Sequence, residues 1–196
     1  MKIALYSVSS ILVLAFSYLV FRYFVRKDYH EKGRTSWFSI LLEILVFLFH
    51  AHLSYFFIPA RWPYLPNFPT NSAVQIIALF LIGIGIIITL TAMISLGYRR
   101  TFGQGSDKIN ISGFYRYSRN PQIVAYGLVI VGFVMLWPSW YSLVWIISYG
   151  ILAHLMVITE EEFLQRTHGV HFDKYRSQVS RYITINRSKD RISNNR

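Results

Sequence analysis

An all-α, polytopic membrane protein is the fold the sequence predicts: five transmembrane helices, a tight fourth-to-fifth hairpin and a cytosolic amphipathic C-terminal helix. Three observations predict it. Of 196 residues, 54% are hydrophobic and 15% charged, against about 45–50% and about 25% in soluble domains. Apolar residues gather into five stretches, at 3–25, 37–60, 73–97, 122–138 and 140–158, near the roughly 20 residues that a spanning helix needs. The Lys and Arg residues, which bring the formal charge to +11, fall in blocks between those stretches.

Each stretch can be justified in turn. The first is long, lacks an A-x-A site and is followed by basic residues, so it reads as a span rather than a cleaved signal peptide. The second carries Glu43, His50 and His52, and the fifth carries His154. Ionisable residues at membrane depth are costly and commonly line functional cavities, although snorkelling or a satisfied buried pair is an equal reading. Glu43 and His50, seven apart, share one helical face. The third stretch contains "GIG" at Gly83 to Gly85, which inside a span reads as a close helix-packing site; without a strand–turn–helix context it says nothing of nucleotides. "WPSWY" separates the fourth from the fifth. Pro138 disfavours a continuous helix there, and the Trp and Tyr rings suit the membrane interface.

Orientation follows from the cations in each connection. One precedes the first span, five lie from Arg22 to Arg34, one is Arg61, five lie from Arg99 to Arg119, the fourth-to-fifth turn has none, and eight follow the fifth span. High counts alternate with low ones, so the positive-inside rule puts the N-terminus outside and the C-terminus in the cytosol. Cations in blocks, rather than along one polar face, argue against nucleic acid and for membrane lipids with anionic headgroups as partners. The absence of cysteine excludes disulfides, thiolate nucleophiles and Cys-ligated metals, and no metal is expected. Three regions result: spans at 1–97 that would shape a substrate pocket, a unit at 98–185 with loop, hairpin and C-terminal helix, and a polar tail at 186–196 with the composition of a disordered segment.

That topology sets two polar segments on one side. "GFYRYSRNPQ", Gly113 to Gln122, places Arg116, Arg119 and three aromatic rings beside Asn120-Pro121. A helix start, with Asn as cap and Pro at the first position, explains the last two but not the density upstream. After the fifth span comes "TEEEFLQRTHGVHFDKYRSQVSRYI", in which Leu164, His168, Phe172, Tyr175, Val179 and Tyr182 recur at helical steps. It reads as an amphipathic helix beginning near Thr159 and bent near Gly169. One of Glu160, Glu161 and Glu162 can bind a cationic ligand, but from composition a capping box of Thr159 with Glu162 stands ahead of that reading.

Taken together, "SGFYRYSRNPQI", a hydrophobic hairpin and "EEEFLQRTHGVHFDKY" resemble the C-terminal core of the integral-membrane methyltransferases that include isoprenylcysteine carboxyl methyltransferase and phosphatidylethanolamine N-methyltransferase. The resemblance spans roughly Gly97 to Ile183 and rests on the order and spacing of several short motifs. It implies an S-adenosylmethionine site contacted by Arg100, by Asp107, Lys108, Ile109 and Asn110, by Tyr115, by Asn120, Pro121, Gln122 and Ile123, and by Glu160, with Glu161 beside it. Backbone groups at a helix start suit the cofactor's carboxylate, aromatic rings suit adenine or the sulfonium, and a glutamate suits an ammonium or ribose. Met156 stands where the isoprenylcysteine enzymes carry an arginine, which disfavours an isoprenylcysteine carboxylate as acceptor.

The expected activity is therefore methyl transfer from S-adenosylmethionine to a lipophilic substrate. Such a displacement asks mainly for proximity and desolvation. Glu43 is the candidate contact for an acceptor amine, and Arg181 for an anionic group. Two other classes stay open from the residues: an NADPH-dependent membrane reductase of the sterol-reductase kind, and a non-catalytic lipid-binding membrane protein.

Overall fold

The structure, a computed structural model, describes residues 1–58, 67–97, 103 and 109–184. Among them it is all-helical, with α1 at Lys2–Lys32, α2 at Trp37–Phe56, α3 at Ser72–Leu96, α4 at Pro121–Leu136, α5 at Trp140–His168 and α6 at Val170–Gln178. Four of these, α1, α2, α3 and α5, are long and apolar enough to cross a membrane; α4 is apolar but only 16 residues long. Large apolar side chains face outward along them, among them Ile11, Leu12, Ile76, Phe80 and Ile87. Outside a bilayer that surface would be an aggregation hazard; in lipid it costs nothing.

Direction can be read from contacts. The Tyr6 hydroxyl donates to the Tyr141 carbonyl at 2.6 Å, and Arg22 donates to the Thr159 hydroxyl at 3.1 Å, so α1 and α5 run parallel in nearly constant register. Helix α2 runs against α5. His50 and Trp145 stack 5.1 Å apart, each reaching the other's backbone carbonyl, at 3.0 and 2.8 Å. His50 is thus a core residue whose Nε2 is satisfied, the bland one of its two readings. Helices α3 and α4 pack most closely. A Cβ on Gly85 would lie 2.7 Å from the Ala125 carbonyl oxygen, and one on Gly132 would lie 2.7 Å from that of Ala78. The "GIG" step is a packing site through Gly85, since nothing lies within 4 Å of a Cβ built on Gly83.

The structure corrects two local expectations. Helix α5 continues unbroken through Thr159 to His168, so Thr159 is mid-helix and there is no capping box with Glu162; the Thr159 hydroxyl donates back to Leu155 at 2.9 Å. Glu, Leu, Gln and Arg are good helix formers and keep the helix going beyond the apolar zone. The break comes at Gly169, where φ 45° and ψ −116° suit a residue without Cβ. The second correction is at Asn120, whose side chain makes no cap to α4. Its Nδ2 donates instead to the Arg181 carbonyl at 3.1 Å.

Candidate active site

One end of the bundle collects the chemistry. Glu43 of α2, Leu96 of α3, Gln122 of α4, and Met156 and Glu160 of α5 line a single cavity with Phe21, Val25 and Tyr29 of α1 and with Gly103. The α1 wall is built by a π-helical stretch, Val20–Val25, within the longer helix. Such insertions shift side-chain direction and are frequent at functional sites. Here Phe21 and Val25 are buried against the core, and Tyr29 stacks on Phe163 with centroids 4.2 Å apart. Among the described residues lining the cavity there is no cationic side chain beside its two carboxylates.

Gln122 is held from outside. The Tyr115 hydroxyl donates to its Oε1 at 3.0 Å, which leaves the amide NH₂ as the hydrogen-bonding group still available to a ligand. Burial, and then the negative field of Glu160, push the Tyr115 phenol above its ordinary range. It therefore remains a neutral donor at physiological pH. The Tyr175 hydroxyl in turn donates to the Tyr115 carbonyl at 2.8 Å.

Glu161 and Glu162 do something else. Glu161 forms an ion pair with Arg119 at 2.9 Å and accepts from Arg181 at 2.8 Å. Glu162 accepts from Arg22 at 2.8 Å and forms an ion pair with Arg26 at 2.9 Å. Burial lowers the pKa of Arg119 even though Glu161 opposes that shift, whereas hydrogen bonding to Glu161 raises that of Arg181. Arg119 also sits over the Phe172 ring, 5.7 Å from its centroid. These contacts account for Arg119 and Tyr115 of "GFYRYSRNPQ". The segment is clamped by the C-terminal chain: the Arg119 amide donates to Ser180 at 3.1 Å and the Thr184 amide to Tyr117 at 2.9 Å.

The other candidates divide. Ile109 packs on Phe172, Tyr175 and Val179. Asn110 spends its side chain on the Ser95 carbonyl at 3.2 Å and on Ser112. Pro121 is buried at the first position of α4, and the Ile123 carbonyl accepts from Tyr149 at 2.6 Å. The Ile123 side chain lines a separate apolar furrow between α4 and α5, with Gly127, Gly150 and Tyr182. Arg100, Asp107 and Lys108 lie outside the described residues. Sequence reasoning missed Tyr29 and the π-helical wall, for which no local pattern gave a signal. It also missed the pairing of Arg22 and Arg26 with Glu162, whose only trace was a block of cations on the same side as three glutamates.

A model of the phospholipid methyltransferase family matches residues 74–171, half of the 196-residue chain. Searches of curated proteins and of solved structures find no match. The matched stretch contains α3 from its third residue, α4 and α5, and with them Gln122 and Glu160; α1 and α2, with Tyr29 and Glu43, precede it.

Proposed function

The chain belongs to the phospholipid methyltransferase family, and on that premise we propose that it transfers a methyl group from S-adenosylmethionine to a lipophilic acceptor. The observation that carries this reading is the convergence of Glu43 and Glu160, from different helices, on one cavity with Gln122, Phe21 and Tyr29. Two carboxylates and two aromatic rings suit a ligand with sulfonium and ammonium charges. When bound, the cofactor supplies an electrophilic methyl group.

Glu160 and Gln122 are the proposed direct contacts, one accepting and the other donating hydrogen bonds. Tyr115, Asn120 and Pro121 set the start of α4 and hold Gln122 in place. Arg100, Asp107, Lys108, Ile109, Asn110 and Ile123 are carried as cofactor contacts by the family resemblance alone, whereas Glu161, paired with Arg119 and Arg181, is assigned to structure. Glu43 faces the cavity from the opposite wall and is proposed to orient an acceptor amine and take its proton as the nitrogen gains the methyl group. Met156 lines the same cavity and offers no charge to an isoprenylcysteine carboxylate. The apolar furrow beside Ile123, between α4 and α5, suits the tail of a lipid arriving laterally.

The alternating helix directions support five crossings, with α4 as the short fourth and a turn at 137–139 closing the hairpin. On the positive-inside rule the N-terminus lies outside, and the cavity and C-terminus face the cytosol. Calorimetric titration of the detergent-purified full chain with S-adenosylhomocysteine tests the reading. Saturable binding that Glu160→Gln weakens about a hundredfold is expected, on the scale of a charge-assisted hydrogen bond. Folded protein that takes up none would sink the cofactor assignment.

A further inference from the structure

The opposite face of α5 carries the reverse charge. Arg26 and His30 of α1, Glu161, Glu162 and Arg166 of α5, Arg176 of α6 and Arg181 line a second, wider basin. Counting Arg22 and Arg119, which pair into it, six guanidinium groups meet three carboxylates among the described residues: Glu161, Glu162 and Asp173. Each glutamate already holds two arginines, and Asp173 holds Arg176 at 3.0 Å. Arg166 has no carboxylate among the described residues. Its Nε donates to the Glu162 carbonyl at 3.3 Å and its Nη1 to His30 Nδ1. Among the described residues that guanidinium rests on an imidazole and a backbone carbonyl, in a basin where arginines outnumber carboxylates, an arrangement that suits an anion from outside.

We propose that this basin binds the phosphate of an anionic lipid headgroup, at a site separate from the methyl-transfer cavity. Phosphate is the chemistry that several planar, multiply donating arginines recognise. Lipid is the favoured source because the basin lies where α1 and α5 leave the apolar zone. Its inner edge is the apolar Ile158, and Arg26, Arg166 and Arg176 reach outward, all exposed. A headgroup entering from the bilayer surface would meet the arginines with its tails still in lipid. The inference is independent of methyl transfer and stands or falls by itself.

Native mass spectrometry of the full chain, titrated with dihexanoyl phosphatidic acid and separately with inorganic phosphate, tests it. Arg166→Gln is compared with Lys174→Gln, which removes one exposed cation from α6 outside the basin. Both are surface changes that leave the core untouched. The expected result is saturable binding of the phosphatidic acid, weakened about tenfold by Arg166→Gln, partly kept by Arg166→Lys and unchanged by Lys174→Gln. Equal loss in Arg166→Gln and Lys174→Gln would overturn the site in favour of a diffuse surface field. Inorganic phosphate bound as tightly as the lipid would overturn the lipid source.

Discussion

Glu160 and its neighbours Glu161 and Glu162 are chemically identical and consecutive, yet the bundle treats them in opposite ways. Consecutive positions on a helix point about 100° apart, and here that rotation is decisive. Glu160 turns into a cavity shared with Glu43 and without a cation among the residues described. Glu161 and Glu162 turn toward four arginines supplied by α1, the loop before α4 and the C-terminal chain. The lesson is that a carboxylate's role is set by what other elements bring to it. Paired carboxylates anchor structure, and the one left without a counter-charge is the one available to a ligand.

The largest effect should come from breaking the anchored side. Glu161→Gln leaves Arg119, whose side chain is 10% exposed, without its carboxylate, and loss of a buried partner costs about 3 kcal/mol. Thermal unfolding in detergent should show a clear fall in midpoint; an unchanged midpoint would mean the two classes of glutamate do not differ. Next comes Glu160→Gln. Because Glu160 has no cationic partner among the described residues, the variant should unfold no earlier than wild type while losing cofactor affinity. If its midpoint instead drops like that of Glu161→Gln, Glu160 is structural and the comparison collapses.

Smaller effects refine the picture. Glu43→Gln is expected to lower kcat/KM for an amine acceptor about tenfold, below the usual general-base loss of about a hundredfold or more because the displacement asks mainly for proximity, with S-adenosylhomocysteine affinity within about twofold. A matched loss of cofactor affinity would move Glu43 from the acceptor to the cofactor. Smallest of all, Arg22→Gln should cost less than about 1 kcal/mol, since Glu162 keeps Arg26 and is itself partly exposed. Chemical denaturation of the two proteins side by side measures that difference.

Much of this was legible in the residues, for physical reasons that differ from one to the next. Glu43 stood out because a carboxylate at membrane depth is expensive. Glu160 and Gln122 stood out through motif order. The capping box misled because Ser/Thr-x-x-Glu looks the same at a helix start and mid-helix, and only the upstream backbone tells them apart. Asn120 misled similarly: a good cap by type, it is drawn away by a carbonyl 61 residues further along the chain. His50 was flagged by cost alone, and part of that cost is met at Nε2 by Trp145, 95 positions away.

By itself the sequence determined what is set by composition and short spacing: an all-helical chain for the membrane, the approximate spans, the hinge at Gly169 and the family motif around Asn120 and Glu160. Tertiary structure decided which charges meet. It carried α5 past the apolar zone beside the end of α1, divided three glutamates between an unpaired cavity and an arginine clamp, and brought Glu43 to Glu160. Local propensity acts over a turn or two of helix, whereas a buried charge is governed by whatever lies within a few ångströms, however distant in the chain.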